Sequence, residues 1–148
     1  IANEEDAADV FEIRAADTDV SKGAVSREGY KDVARQLMEH FHFSRVAITL
    51  RESLSASDNN WSAMLYDAER FCFSKKYQMH IVDRVGGGDS FGAGLICALL
   101  NGCSSQEAVD FAAAASCLKH SIEGDFNLVS ADEVQKLAGG DGSGRVQR

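Results

Sequence analysis

The segment Ile81-Val82-Asp83-Arg84-Val85-Gly86-Gly87-Gly88-Asp89-Ser90-Phe91-Gly92-Ala93-Gly94 constrains this chain more than any other. An apolar strand, expected over Met79 to Val82, feeds three consecutive glycines, and a helix expected over Phe91 to Leu100 follows. Glycines let a backbone approach a ligand and present successive N–H groups. A helix start adds unpaired donors and the positive end of its dipole, so the turn suits an anion. Spacing excludes two common phosphate loops. No lysine follows the cluster as a Walker A loop requires, and a dinucleotide fingerprint begun at Gly86 would need glycine where Phe91 stands. Two readings of Asp89 stay open on spacing alone. A carboxylate beside a phosphate cradle is wrong for phosphate binding and right for taking a proton from an attacking hydroxyl. The simpler reading makes Asp89 a helix cap and the glycines a flexible turn. Gly88 and Gly92, four apart, also fit close packing of the helix.

Around this segment, strands interleave with helices, which argues for a layered α/β domain. Asn3 is a good N-cap, with Glu4, Glu5 and Asp6 in the first turn behind it and Ala7, Val10 and Phe11 as an apolar stripe. A second helix is expected from Ser26, because Tyr30, Val33, Ala34, Leu37, Met38 and Phe41 recur on one face. The period then shortens. Val46 to Leu50 reads as a strand covered on both faces, Ser53 to Asn60 as a polar loop, and Trp61 to Tyr66 with Phe71 to Phe73 as a hairpin joined near Asp67-Ala68-Glu69. Asn101-Gly102 stops the helix after the glycines. Ser104 with Glu107, and Ser130 with Glu133, have capping-box spacing and open two further helices. Residues 1–138 are therefore expected to form the folded part, and 139–148, rich in glycine, a flexible tail.

Composition narrows the partners. The 148 residues carry a net charge of −8 with no basic cluster, which disfavours nucleic acid. No apolar run reaches the ~18 residues of a membrane span, and the acidic start has no signal-peptide pattern. The chain begins at Ile1 rather than Met, so a trimmed chain or a fragment is expected. Cys72, Cys97, Cys103 and Cys117 show no metal spacing, and three lie in apolar surroundings. They read as reduced, buried thiols in a reducing compartment, the cytoplasm. His40 and His42 read as a solvated helix end, His120 as satisfying a helix C-terminus, and Trp61 as core.

Asp83-Arg84-Val85-Gly86-Gly87-Gly88-Asp89-Ser90-Phe91 resembles the second signature of the ribokinase-like (PfkB) sugar kinases, Asp-Thr-x-Gly-Ala-Gly-Asp-x-Phe. The resemblance implies the C-terminal, nucleotide-binding half of that layered α/β fold. It also implies an anion hole from the amides of Gly86, Gly87 and Gly88, with Asp89 as catalytic base and contact to the acceptor hydroxyl. Arg84 stands where the family usually has Thr, and Gly87 where it has Ala. Asn3-Glu4-Glu5-Asp6 resembles the Asn-x-x-Glu motif that organises Mg²⁺ and phosphate through water, with Asp6 in the glutamate place. Ile48-Thr49-Leu50-Arg51 resembles the strand ending in a nucleotide contact, which assigns Thr49 and Arg51 to ATP. Ala113 falls where the family often has an Asn near the adenine.

Gly124-Asp125, with Leu118-Lys119-His120 before it, resembles the 2-keto-3-deoxygluconate kinases, which place such an aspartate near the substrate. The implied activity is ATP- and Mg²⁺-dependent phosphorylation of a sugar acid. The implied partners are ATP, the sugar acid and an N-terminal half of the enzyme outside this chain, and the resemblance leaves room for a homo-oligomer. A related kinase for fructose or ribose, or a nucleotide-binding fragment without catalysis, are the alternatives.

Overall fold

Four short, apolar strands assemble one antiparallel sheet, and helices cover both of its faces in this computed structural model, which describes residues 1–3, 5–15 and 27–140. In chain order the elements are α1 (Asp6–Phe11), α2 (Arg27–Phe41), β1 (Val46–Ser53), β2 (Asp58–Tyr66), β3 (Phe71–Phe73), β4 (Tyr77–His80), α3 (Gly87–Leu100), α4 (Ser105–Lys119) and α5 (Ala131–Gly139). β2 is the hub. It pairs with β1 from Val46↔Tyr66 to Ser53↔Asn59, with β3 at its far end and with β4 at its near end. On the free edge of β1, the Ala2 amide donates to Ala47 and Ala2 accepts from Thr49, both at 3.0 Å, adding a parallel bridge.

Strand alternation divides the core in two. Val46, Ile48 and Met64 face one way and pack with Ala7, Val33, Ala34 and Leu37 from α1 and α2. Ala47, Ala63 and Leu65 face the other way, against Phe91 and Leu95 of α3 and the alanine run of α4. Thr49, Arg51 and Trp61 continue this second face towards the near end of the sheet. Close approach of α3 to α4 depends on Gly94, where an added Cβ would lie 3.2 Å from both the Ala112 Cα and the Ala115 Cβ. Packing thus rests on Gly94; at Gly88 the space is open.

Both capping boxes form: Ser104 and Ser130 each accept from the amide three residues on, and Glu107 and Glu133 reach back. Several expectations are corrected. The loop expected from Ser53 to Asn60 shrinks to residues 54–57, because Glu52 accepts from Asn60 Nδ2 at 2.9 Å and from Lys76 Nζ at 2.6 Å. That polar cross-strand pairing extends the hairpin without apolar residues. β4 starts at Tyr77 rather than Met79 and ends at His80, after which the Ile81 amide turns to Ser57 at 2.7 Å. α3 starts at Gly87 rather than Phe91, inside the glycines. Asn3 caps a turn before α1: its Oδ1 accepts from the amides of Glu5 and Asp6, and Asp6 accepts from the Asn3 amide at 2.8 Å.

All four cysteines are free; Cys72 is buried and Cys117 half-buried, but Cys97 and Cys103 are exposed at the end of α3 and just past it, against the buried reading. His40 and His42 are solvent-exposed, and Trp61 is core, as expected. Residues 141–148, most of the expected tail, and Ser26 lie outside the described residues, while Gly139 closes α5. No helix among the described residues is long and apolar enough to cross a membrane.

Asp67 locks the β2–β3 turn onto α4. It accepts from the Ser105 hydroxyl and from the amides of Glu69 and Arg70. The Ser105 bond, before the backbone bonds, holds its carboxyl down from 3.8 to about 2. A depressed folded pKa stabilises above the unfolded value and is lost as pH falls through the folded one. In urea titrations, the stability gap between the parent and Asp67→Ala is expected to be full at about pH 5 and to close between about pH 4 and 2. A gap constant across that window would contradict the assignment.

Candidate active site

The turn into α3 presents donors on an open face. Gly86, the N-cap, has φ +78°, and a Cβ there would fall 2.2 Å from the Asp125 carbonyl oxygen, so only glycine fits. The Gly87 amide points at the Arg84 carbonyl at 3.4 Å, and Ser90 donates to Gly86 at 2.9 Å. Among the described residues, the amides of Gly86, Gly88 and Asp89 have no acceptor. An added Cβ at Gly88 would meet nothing within 4 Å. Asp89, third in the helix, is exposed, caps nothing, and forms no ion pair or hydrogen bond among the described residues. The capping alternative for Asp89 therefore has no bond to support it.

Two loops and the end of α4 hold that turn from behind. Asp83 Oδ1 accepts from Val85 at 3.0 Å and its Oδ2 from Gly124 at 2.9 Å, tying the glycine turn to the segment after α4. The Val85 bond, then the Gly124 bond, holds the Asp83 carboxyl below the usual range, helped by Lys119 and Arg84. Arg84 donates to the Ala56 carbonyl at 2.9 Å, reaching the β1–β2 loop. The Val82 and Asp83 amides both donate to the His120 carbonyl. Asn127 Nδ2 donates to Ser90 Oγ at 2.6 Å. Lys119, fully buried, donates to Ile122 at 3.0 Å and closes the end of α4.

His120 is buried beneath the turn. Its Nδ1 lies 2.7 Å from the Ser116 carbonyl, which can only accept, so Nδ1 carries the proton. Burial pushes its pKa down; the Ser116 bond opposes this, and the charges of Lys119, Arg84 and Arg51 lower it further. His120 is therefore a neutral imidazole surrounded by three cations. In a chain of net charge −8, these three cations stand at the glycine turn beside the carboxylates of Asp83 and Asp89.

The sequence profile of the pfkB family carbohydrate kinases matches residues 1–132. The chain belongs to the pfkB family. A 2-dehydro-3-deoxygluconokinase crystal structure from Thermotoga maritima is 46% identical, superposes with a TM-score of 0.85, and is matched over 93% of this chain and 40% of that one. A PfkB family carbohydrate kinase structure from Listeria grayi is 28% identical with a TM-score of 0.73, over 95% of this chain and 42% of that one. A 2-dehydro-3-deoxygalactonokinase from Haloferax volcanii is 29% identical over 110 residues, 74% of this chain and 32% of that protein. This pfkB chain thus spans about a third to two fifths of these relatives. The layered α/β arrangement of a ribokinase-like part is what the superposition shows.

Within this pfkB chain, Gly86, Gly87, Gly88, Asp89 and Asp125 come together: the Asp125 backbone lies directly against Gly86. Arg51 lies on the sheet face that carries Trp61, and the Trp61 ring packs at a tilt of 53° against His120 with centroids 5.0 Å apart. Thr49 is on the same face but buried in the sheet. Ala113 is not brought to the site; its methyl is fully buried between α4 and the rest of the core. The N-terminal segment reaches α3, since a Cβ at Gly92 would lie 3.7 Å from Ile1 Cδ1. Sequence reading missed the supporting roles of Asp83, Ser116 and Asn127. Asp83 had a signal, an aspartate two residues before a turn amide; Ser116 and Asn127 act at long range and had none.

Proposed function

We propose that the full-length protein transfers the γ-phosphoryl group of ATP to a hydroxyl of a sugar acid, converting 2-keto-3-deoxygluconate to its 6-phosphate. The observation that carries this reading is the exposed carboxylate of Asp89, unpaired among the described residues, beside the amides of Gly86, Gly88 and Asp89, which find no acceptor among them. Asp89 takes the proton as the hydroxyl attacks phosphorus in line. The amides then stabilise charge spreading over the transferred oxygens, with most of the gain in the transition state. Gly87 acts by shaping the turn, since its own amide is directed at Arg84. Arg51 and Arg84 add positive charge for the triphosphate, and Thr49 shapes the sheet end beneath it. Asp125 lies on the acceptor side.

Asn3 and Asp6 would hold Mg²⁺ through water, and the metal would supply neutralisation of the nucleotide's phosphate charge. The residues present fit an indirect role. Asn3 Oδ1 and Asp6 Oδ2 are engaged with backbone amides, and among the described residues Asp6 Oδ1 is left as a hard oxygen able to hold a metal-bound water. Most acceptor contacts are assigned to the part of the full-length protein beyond this chain, in keeping with the 40% coverage of the Thermotoga maritima kinase.

The gluconate acid is named on the 46% identity to the Thermotoga maritima 2-dehydro-3-deoxygluconokinase, and its C4 epimer is the acceptor to test beside it. An ADP-release assay on the full-length protein, with 2-keto-3-deoxygluconate, 2-keto-3-deoxygalactonate, fructose and ribose, tests it. Release driven chiefly by the gluconate acid is expected. Release with fructose or ribose alone moves the acceptor class, and ATP binding without release for any sugar overturns catalysis.

A further inference from the structure

The glycine at position 87 is held by two residues one turn apart at the C-terminal end of α4, Ser116 within it and His120 as its C-cap. Ser116 Oγ, fully buried, donates to the Gly87 carbonyl at 2.8 Å. The Ser116 carbonyl in turn accepts from His120 Nδ1 at 2.7 Å. The His120 ring then fills the space over the Gly87 Cα: a Cβ added there would lie 2.4 Å from Cε1, 2.7 Å from Nε2 and 3.2 Å from Nδ1. Such separations are far inside contact distance. The ring has little room to step aside, because it is buried, bonded at Nδ1 and packed at a tilt against Trp61. Gly88 beside it has no such neighbour. One donor, Ser116 Oγ, and one ring, itself held through the Ser116 carbonyl, therefore fix the first residue of α3 in position and orientation, and the next two amides follow rigidly from it as the first turn of a helix.

We propose that Ser116 and His120 are positioning residues that set the direction of the Gly88 and Asp89 amides, and that Gly87 and His120 form a size-matched pair. This rests on the phosphoryl-transfer reading for its consequence in turnover, but not for the pairing itself. Neither residue touches the reacting atoms; both act through Gly87. A methyl at position 87 displaces the turn unless the imidazole is removed. His120→Ala frees the ring's space, so the two changes compensate.

The test is a double-mutant cycle on the full-length protein: Gly87→Ala, His120→Ala and both together, with Ser116→Ala as a separate probe. Two readouts are taken, the amide ¹H–¹⁵N positions of Gly86 to Asp89 and the steady-state constants for sugar phosphorylation. Gly87→Ala is expected to shift the Gly88 and Asp89 amides and to cut kcat at least about tenfold, with the ATP KM changed far less. The double variant is expected to return those amides towards their parent positions and to recover kcat above that of Gly87→Ala. Ser116→Ala is expected to move the same amides with a smaller fall in kcat. Independent effects, in which the double variant equals the sum of the amide shifts and the product of the rate losses, would overturn the pairing. If the parent phosphorylates no sugar, the catalytic reading fails, and the amide cycle still decides the pairing. Should Gly87→Ala fail to fold, the folded double variant is itself the rescue, while a double variant that also fails counts against it.

Discussion

Replacing Asp89 with asparagine in the full-length protein is expected to lower kcat for sugar phosphorylation by about 10²–10⁴-fold, the usual contribution of a positioned general base. Asparagine keeps the size of the side chain and removes its capacity to hold a proton. Because the Asp89 carboxylate makes no hydrogen bond or ion pair among the described residues, nothing in the fold depends on its charge beyond the helix dipole. The thermal midpoint should move little, and ATP affinity should stay close to that of the parent. That separation is diagnostic. A structural aspartate would lose stability on substitution, and a phosphate-repelling one would gain ATP affinity. Calorimetric titration with ATP and Mg²⁺, beside the steady-state assay, reads both, and near-normal turnover would remove Asp89 from the chemistry.

Gly86→Ala is expected to cost about 2–5 kcal/mol of stability, which combines a left-handed backbone for a residue with a Cβ and an overpacked contact. The contact is severe because the atom met, the Asp125 carbonyl oxygen at 2.2 Å, is backbone and not the end of a flexible side chain. Either the helix start or the segment around Gly124 must move, and Asp83 couples the two through Val85 and Gly124. Gly88→Ala, two residues on, provides the contrast. Its Cβ meets nothing within 4 Å, so stability is expected to hold or to rise by up to about 1 kcal/mol, as for other glycines replaced inside helices. Urea unfolding of the two variants measures the difference. Equal losses at both positions would mean that the turn is not built as described.

Local chemistry made much of this fold legible. Ser104 and Glu107 sit three residues apart and bond each other, so their helix start needs no knowledge of the rest of the chain. The apolar stripe of α2 from Val33 to Leu37 and the apolar run of β1 carried equally direct signals. Long-range contacts hid the remainder. Three glycines read as a turn by propensity, yet α3 begins at Gly87 because Ser116 and His120, thirty residues away, hold it there. The polar ends of β1 and β2 read as loop because their pairing uses Glu52, Asn60 and Lys76 instead of apolar side chains.

The site divides in the same way. Gly86 to Asp89 and Asp125 were readable as a cluster from their residue types and resemblance, and the fold places them together. Ala113 was not, because alignment within a helix says nothing of which face is buried, and its methyl belongs to the core. His120 was read as a helix end, which its Nδ1 bond to Ser116 bears out. Its second contact, with Gly87, only coordinates reveal.

The most direct test is a crystal structure of the full-length protein trapped with ADP, Mg²⁺, aluminium fluoride and 2-keto-3-deoxygluconate. The fluoride group should accept from the Gly88 and Asp89 amides, with the Asp89 carboxylate about 3 Å from the acceptor hydroxyl. A trapped group bound elsewhere, with those amides turned to water and Asp89 away from the sugar, would contradict it.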